Sequence, residues 1–310
     1  MVEQRDIDII FRNPINWERF RNKTILVTGA TGRLGMYIVE ALIKADIDWN
    51  LSLNILALAR DEKKLRQLLG NSLELPNVHI LVQDITEPIQ WKTDIHYIFH
   101  TAGAASPLDF TNYPVDTLWG HVQGTRNILE LARKKGSQKV MYVSTVEIYG
   151  QWEKDIGIRE DDMGPIHCDE ARACYPEAKR LCEAMLASYE KQYGISYIGV
   201  RLCHTFGPGI SLDDGRAFSE FIRNVINEED IVLQTDGSAM RTYTYVADAV
   251  GAMLVAFTKG KEHYYNIANV ENLISIRDLA ELIASLDIKG NVKVRYADTG
   301  EQKFNYLPFK

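Results

Sequence analysis

Thr24-Ile-Leu-Val-Thr-Gly-Ala-Thr-Gly-Arg-Leu-Gly35 begins as a β-rich run, stops at a glycine and opens into helix-patterned sequence. Leu34, Ile38, Val39, Leu42 and Ile43 recur at helical spacing over residues 34–45. Glycines at 29, 32 and 35 allow a tight turn and close backbone approach, and a helix start offers unpaired N–H groups to a pyrophosphate. Strand, Gly-rich turn and helix in that order predict the first unit of a dinucleotide-binding sheet. The expected cofactor contacts there are Gly29, Thr31, Gly32, Arg33, Leu34 and Gly35.

Outward from that stretch the pattern repeats. Further strands are expected at 53–58, 78–82, 97–100, 139–144 and 196–201, with helices from Asp61, over 114–135 and from Tyr175 to about Tyr193. Strands alternating with helices imply an α/β fold, a Rossmann-type doubly wound parallel sheet covered on both faces. After Arg201 the rhythm breaks into short elements: helices near 216–226, 246–258 and 275–286, and strands at 231–233 and 241–245. Residues 1–201 therefore read as the dinucleotide-binding domain, with 1–22 an N-terminal arm. Residues 202–310 read mostly as a smaller substrate lobe over the carboxyl edge of the sheet, some segments returning to it.

The choice of dinucleotide stays open. NAD sites usually carry an acid at the end of the second strand for the ribose 2′-hydroxyl. Here that strand ends in Arg60, which, with Arg33, could meet a 2′-phosphate and favour NADP, or could stack or remain solvated. Asp84, just past the third strand, could accept a hydrogen bond from an adenine amino group or form a turn, and Ile85 beside it is a further expected cofactor contact. Ala102, Gly103 and Ala104 lie in a run of small residues after the fourth strand that leaves room for a flat ring.

Tyr175 and Lys179 stand one helical turn apart on one face. An ammonium near a phenol favours the phenolate, drawing the tyrosine down from ~10 toward a value where it can act as a base. Pro176 suits a first helical turn, which places Tyr175 at the helix start, where unpaired N–H groups add to that field. The bulk numbers fit a soluble globular chain of 310 residues, 46% hydrophobic and 25% charged. A net charge of -7 and pI ≈ 5.6 argue against nucleic acid as main partner. Cys168, Cys174, Cys182 and Cys203 show no CxxC or paired histidine spacing, so reduced thiols and no metal site are expected. Without a long apolar run or a signal peptide, a cytoplasmic location without membrane association is expected.

Together, Thr28-Gly-Ala-Thr-Gly-Arg-Leu-Gly35, the Ser144-Thr145 pair and Tyr175-x-x-x-Lys179 resemble the extended short-chain dehydrogenase/reductases of the NAD-dependent epimerase/dehydratase group that modify nucleotide sugars. Within that group the resemblance is closest to UDP-glucuronate decarboxylases. It rests on Arg172-Ala-Cys-Tyr-Pro-Glu-Ala-Lys-Arg180, Ala105-Ser-Pro107, Thr145-Val-Glu-Ile-Tyr-Gly150, Leu212-Asp-Asp-Gly-Arg216 and the segment 240–248. The resemblance implies Tyr175 as base on the sugar 4-hydroxyl, Lys179 as its helper and ribose contact, and Thr145 on the same 4-oxygen. It implies Glu147 acting near C5, Arg216 and Arg241 on the diphosphate, Ser106 and His204 as further substrate contacts, and a homodimer built on the helices at 114–135 and 175–193. The implied cycle oxidises C4, loses carbon dioxide from a β-keto acid and reduces C4 again with the same NAD.

Three positions depart from the pattern. Val146 stands where dehydratases place an aspartate and decarboxylases usually a serine, so 4,6-dehydration is less expected. His204 replaces an asparagine at the nucleotide diphosphate, and Gly209 replaces an arginine beside the sugar. The chain ends at Lys310, earlier than the family norm, so the family's last elements are expected to be missing. Decarboxylation of UDP-glucuronate is the leading expectation. Epimerisation of a nucleotide sugar is the alternative, ahead of 4,6-dehydration or reduction, and a dinucleotide-binding sensor or scaffold is the non-enzymatic one.

Overall fold

A computed structural model describes residues 2–151 and 157–297. Residues 298–310, the end of the stretch assigned to the second lobe, lie outside the described residues. In chain order, the first half comprises α1 (Gln4–Phe11), β1 (Thr24–Thr28), α2 (Arg33–Trp49), β2 (Asn54–Ala59), α3 (Glu62–Leu69), β3 (Val78–Val82), β4 (Tyr97–His100), α4 (Pro107–Asn112), α5 (Pro114–Lys135) and β5 (Lys139–Thr145). There follow α6 (Cys174–Tyr193), β6 (Tyr197–Leu202), β7 (His204–Phe206), α7 (Ala217–Ile226), β8 (Ile231–Leu233), β9 (Met240–Tyr245), α8 (Val246–Lys259), β10 (Tyr264–Ile267), β11 (Leu273–Ser275), α9 (Ile276–Ala284) and β12 (Val294–Tyr296).

The main sheet runs β3-β2-β1-β4-β5-β6-β10, and every neighbouring pair is parallel. β1 is apolar along its length because both its faces are covered. Ile25 and Val27 join the core with α1, α2 and α8, while Leu26 joins the core with α5 and α6. Each such side chain, fully buried, contributes roughly 1.5–3 kcal/mol. The strand order turns back between β1 and β4, which opens a crevice at their carboxyl ends, the usual ligand position in such sheets.

Several boundaries differ from those read in the sequence. Asp61 caps α3, its side chain accepting from the Lys64 N–H, so the helix starts one residue later. Between β3 and β4, where no helix was expected, Ile85, Ile89 and Ile95 are buried. The N-terminal arm contains α1, pinned by Asp6, whose carboxylate accepts from Tyr37 at 2.5 Å and Tyr245 at 2.9 Å. Beyond β6, β7, β9 and β11 form a three-stranded sheet and β8 pairs with β12. These pack with α7 and α9 around Phe218, Phe221, Tyr243 and Ile283. β10 comes back to the main sheet beside β6.

Candidate active site

The Gly-rich turn is shaped by contacts that side chains would block. Gly29 has φ +68°, and a β-carbon on it would lie 2.9 Å from the Ala102 backbone. A β-carbon on Gly35 would lie 2.4 Å from the Gly29 carbonyl oxygen. The start of α2 therefore sits directly on the turn, and its N-cap, Gly32, provides no side-chain cap for the first-turn N–H groups. The loop after β4 is fastened to the same place. Thr101 Oγ1 donates to the Thr28 carbonyl at 2.6 Å, and the Ala102 N–H donates to Thr28 Oγ1 at 3.1 Å. Gly103 and Ala104 continue this wall, with His121 at 2.8 Å from the Ala104 carbonyl. The uncapped first turn of α2, packed against a turn that leaves no room for side chains, fits the pyrophosphate of a dinucleotide.

At the adenosine end, Arg60 is 81% exposed and lies 3.8 Å from Asp84, whose other oxygen accepts from the Thr86 N–H and hydroxyl. Ile85 turns into the core, and its carbonyl accepts from Asn127 at 2.9 Å. Arg33 does not join Arg60. Its side chain runs to β7, where Nη2 donates to the Thr205 carbonyl at 2.9 Å, because residue 33 opens α2 facing that strand. The pairing of Arg33 with Arg60 around a 2′-phosphate is thereby corrected.

Tyr175 is the second residue of α6, after a 3-10 turn at Ala171–Ala173. Its ring stacks on Phe110 at 4.2 Å and meets the edge of His121 at 5.4 Å. Lys179 Nζ donates to the Val143 carbonyl at 2.8 Å, lies over the Tyr142 ring, and is 5.7 Å from the Tyr175 ring centroid. The expected depression of the phenol by Lys179 is corrected here. Burial and the Glu147 carboxylate push Tyr175 above its ordinary value, and the opposing pulls come from the Thr145 hydroxyl, Arg216 and Arg172. Burial likewise brings Lys179 down to about 8.

Thr145 ends β5 and accepts from the Glu147 N–H at 3.3 Å, which winds the chain into a 3-10 turn carrying Glu147. Glu147 accepts from Arg172 at 2.6 Å, and that guanidinium also covers the Phe110 ring. Arg172 lies in the helix signature, but its partner is 25 residues away, beyond any local pattern. Val146 packs with Ile148, Tyr149, Ile158 and Cys203, so no proton donor faces the pocket from that position.

Behind these residues lies a buried charged network that the sequence reading missed. Glu183, one turn past Lys179, accepts from Ser144 at 2.6 Å and from Arg201 at 2.7 Å, and Arg201 donates to Tyr149 at 2.9 Å. It ties β5, α6 and β6 together beneath Thr145 and Lys179.

The second lobe supplies cations. Arg216 donates to Asp214 at 2.9 Å and to the Ala105 carbonyl at 2.5 Å, while Ser106 donates to the Asp214 carbonyl at 2.9 Å. These bonds lock the lobe to the loop after β4. Arg241 donates to the Met240 carbonyl from the start of β9. His204 sits within the field of Arg241 and Arg216, and burial with those two charges takes it down to about 3, so it is neutral at physiological pH. Arg216 acts on Arg33 of the cofactor turn, on Tyr175 and on His204, so the cofactor turn, Tyr175–Lys179–Thr145 and the arginines are neighbours at one end of the sheet. Among the described residues, no cluster of His, Cys, Asp and Glu is arranged to hold a metal ion, and no helix is long and apolar enough to cross a membrane.

The sequence profile described as the NAD dependent epimerase/dehydratase family matches residues 25–268. UDP-glucuronic acid decarboxylase 6 of Arabidopsis thaliana is 30% identical over 281 residues, 89% of this chain and 78% of that protein. The structure of a UDP-N-acetylglucosamine 4-epimerase from Methanobrevibacter ruminantium M1 superposes with TM-score 0.79 at 22% identity, covering 94% of this chain and 90% of that one. That of a dTDP-glucose 4,6-dehydratase from Bacillus anthracis, solved in complex with NAD, gives 0.74 at 21% identity, covering 92% and 87%. The two superpositions show a shared fold.

Proposed function

The chain belongs to the NAD-dependent epimerase/dehydratase family, and on that premise we propose that it is an enzyme that converts UDP-glucuronate to a UDP-pentose and carbon dioxide through a transient 4-keto sugar. The observation that carries this reading is the convergence of Thr145, Tyr175 and Lys179 on the crevice that also holds the Gly-rich turn and the arginine cluster.

Gly29, Gly32, Gly35 and the N–H groups opening α2 would hold the pyrophosphate of NAD, and Lys179 would hold its nicotinamide ribose. When bound, NAD supplies a hydride acceptor and later donor, and its oxidised ring carries a positive charge that offsets the burial of Tyr175. The Tyr175 oxygen takes the 4-hydroxyl proton, while Thr145 donates to the same oxygen and fixes its position. With C4 a ketone, the acid is a β-keto acid. Its C5–C6 bond breaks, carbon dioxide leaves, and the electron pair passes to the C4 oxygen, where Thr145 and Tyr175 stabilise the enolate. Glu147, steered by Arg172, stands by for proton traffic at C5. Arg216 and Arg241 hold the diphosphate as planar forks.

A second reading, epimerisation of a neutral nucleotide hexose, is favoured by one feature, the absence of a side chain at Gly209 where a carboxylate-binding cation could stand. Incubation with UDP-glucuronate separates the two: carbon dioxide with UDP-pentose supports the first. No product from it, together with interconversion of UDP-glucose and UDP-galactose, establishes the second.

The same reading includes residues 1–201 as cofactor domain, with 202–310 mostly a substrate lobe, a cytoplasmic location, and a homodimer through α5 and α6. Val115, Trp119 and Leu181 stand exposed on those two helices, which supports the pairing.

A further inference from the structure

His121 is a buried histidine that touches both halves of the site. It lies on the buried side of α5, and its Nε2 is 2.8 Å from the Ala104 carbonyl oxygen. Burial and the Lys179 ammonium hold the ring well below the ordinary histidine value, so it is neutral. A carbonyl only accepts, so the single ring proton sits on Nε2. The imidazole also fills space that residue 103 leaves empty. A β-carbon on Gly103 would lie 2.2 Å from its Cε1 and 2.6 Å from its Nδ1. The same ring stands 5.4 Å from the Tyr175 ring, at 60° to it, while Phe110 stacks on the phenol at 4.2 Å. The main-chain carbonyl of His121 accepts from Cys182 Sγ at 3.4 Å, and Cys182 follows Lys179 by three residues in α6.

The loop from Ala102 to Ala104 is thus held from behind at both ends by one face of α5. At its start, the Ala102 N–H reaches Thr28 Oγ1, which is 3.0 Å from His100 Nδ1, and His100 Nε2 is 3.1 Å from Thr125 Oγ1. Thr125 stands one turn after His121 on the same helix. At the loop's far end His121 makes the bond itself, and its ring also meets the ring of the proposed base.

We propose that His121 is a positioning residue: its Nε2–H sets the dinucleotide wall at Ala104, its ring sets the Tyr175 phenol, and wall and phenol are thereby held in register. This rests on the reading of Tyr175 as the base and of residues 102–104 as a cofactor contact. It adds to that reading a residue that acts through both without taking the proton.

Two substitutions in the full chain separate the two contacts. His121→Gln keeps an amide N–H for Ala104 and removes the ring; His121→Phe keeps a ring beside Tyr175 and removes the donor. Each is titrated calorimetrically with NAD, melted, and assayed with whichever UDP-sugar the parent turns over. His121→Phe is expected to weaken NAD about threefold to tenfold, the scale of one neutral hydrogen bond. His121→Gln should bind NAD within about twofold of the parent and lose about tenfold or more in kcat at unchanged KM. His121→Leu, lacking both contacts, should show both losses, and replaces the phenylalanine variant if that one does not fold. Parental NAD affinity without the donor would release Ala104 from His121, and parental kcat in His121→Gln would release Tyr175. Lower melting temperatures with NAD affinity and kcat unchanged would make His121 a scaffold residue. Each of these overturns the proposal and leaves the reading of Tyr175 standing. A parent that binds NAD but turns over neither UDP-glucuronate nor UDP-glucose overturns that reading, and this proposal with it.

Discussion

Replacing Gly35 with alanine should separate the cofactor turn from the rest of the fold. The new methyl carbon would lie 2.4 Å from the Gly29 oxygen, 2.8 Å from its carbonyl carbon and 3.0 Å from Thr101 Oγ1, whereas ordinary contact begins at 3.4 Å. Two of those atoms are backbone, so no side-chain rotation relieves the overlap. The start of α2 must withdraw by the difference, about 1 Å, and such overpacking costs about 1–3 kcal/mol. The same shift takes the first-turn N–H groups out of hydrogen-bond reach of a pyrophosphate. Losing one charge-assisted bond, about 1.5–3 kcal/mol, lowers NAD affinity by about tenfold to a hundredfold or slightly more. Calorimetric NAD titration and melting curves of Gly35→Ala and Gly120→Ala make the assay. Gly120 lies in α5 with nothing within 4 Å of its β-carbon position. That variant should gain up to about 1 kcal/mol in stability and bind NAD as the parent does. A Gly35→Ala protein with parental melting temperature and parental NAD affinity would refute the assignment of this turn.

Other perturbations sort chemistry from scaffold. Tyr175→Phe keeps the stack on Phe110 and should keep NAD binding, yet lose about 10²–10⁴-fold in kcat; turnover near the parent's would show another base at work. Glu147→Gln removes one partner of a half-exposed ion pair, so melting should move by less than about 1 kcal/mol while kcat falls; a stability loss without a kcat loss would make Glu147 a structural residue. Arg201→Met leaves Glu183 charged and buried, and should cost about 3–5 kcal/mol by denaturant unfolding; a cost below about 1 kcal/mol would mean that the network is not held as described. Lys179 falls from 10.5 to about 8 on folding. Between those values the unfolded chain keeps a proton that the folded chain has released, so the parent should gain stability relative to Lys179→Met as pH rises through that window. A stability difference that stays flat from pH 7 to 10 would contradict the burial of its ammonium.

The sheet was legible because its strands announce themselves twice. Thr24-Ile-Leu-Val-Thr28 is apolar on both faces and is followed at once by glycines whose close contacts the structure then displays. α5 begins and ends where Pro114 and the basic last turn before Gly136 signal it. β7, β10, β11 and β12 were missed. They run three or four residues and are mostly half-buried, too short for a period-two pattern to stand out. In the site, Tyr175, Lys179 and Thr145 were readable from spacing and resemblance. The state of the phenol was not, because it depends on burial and on Glu147, 28 positions earlier in the chain. Arg172's hold on Glu147 and the Glu183–Arg201 pair were hidden for the same reason: tertiary contacts assemble them. Arg33 was noticed for its charge but assigned to the wrong neighbour, since the direction of its side chain is set by β7, a strand the pattern did not reveal.

In the proposed mechanism C4 of a nucleotide sugar is oxidised and reduced again on one tightly held NAD. Single-turnover reaction of the NAD-loaded chain with UDP-glucuronate deuterated at C4 tests it, with the cofactor and the product read by mass spectrometry. Deuterium is expected on the nicotinamide while carbon dioxide is released, followed by its return to C4 of a UDP-pentose with no net consumption of NAD. A product that forms while the nicotinamide never carries the label would contradict it.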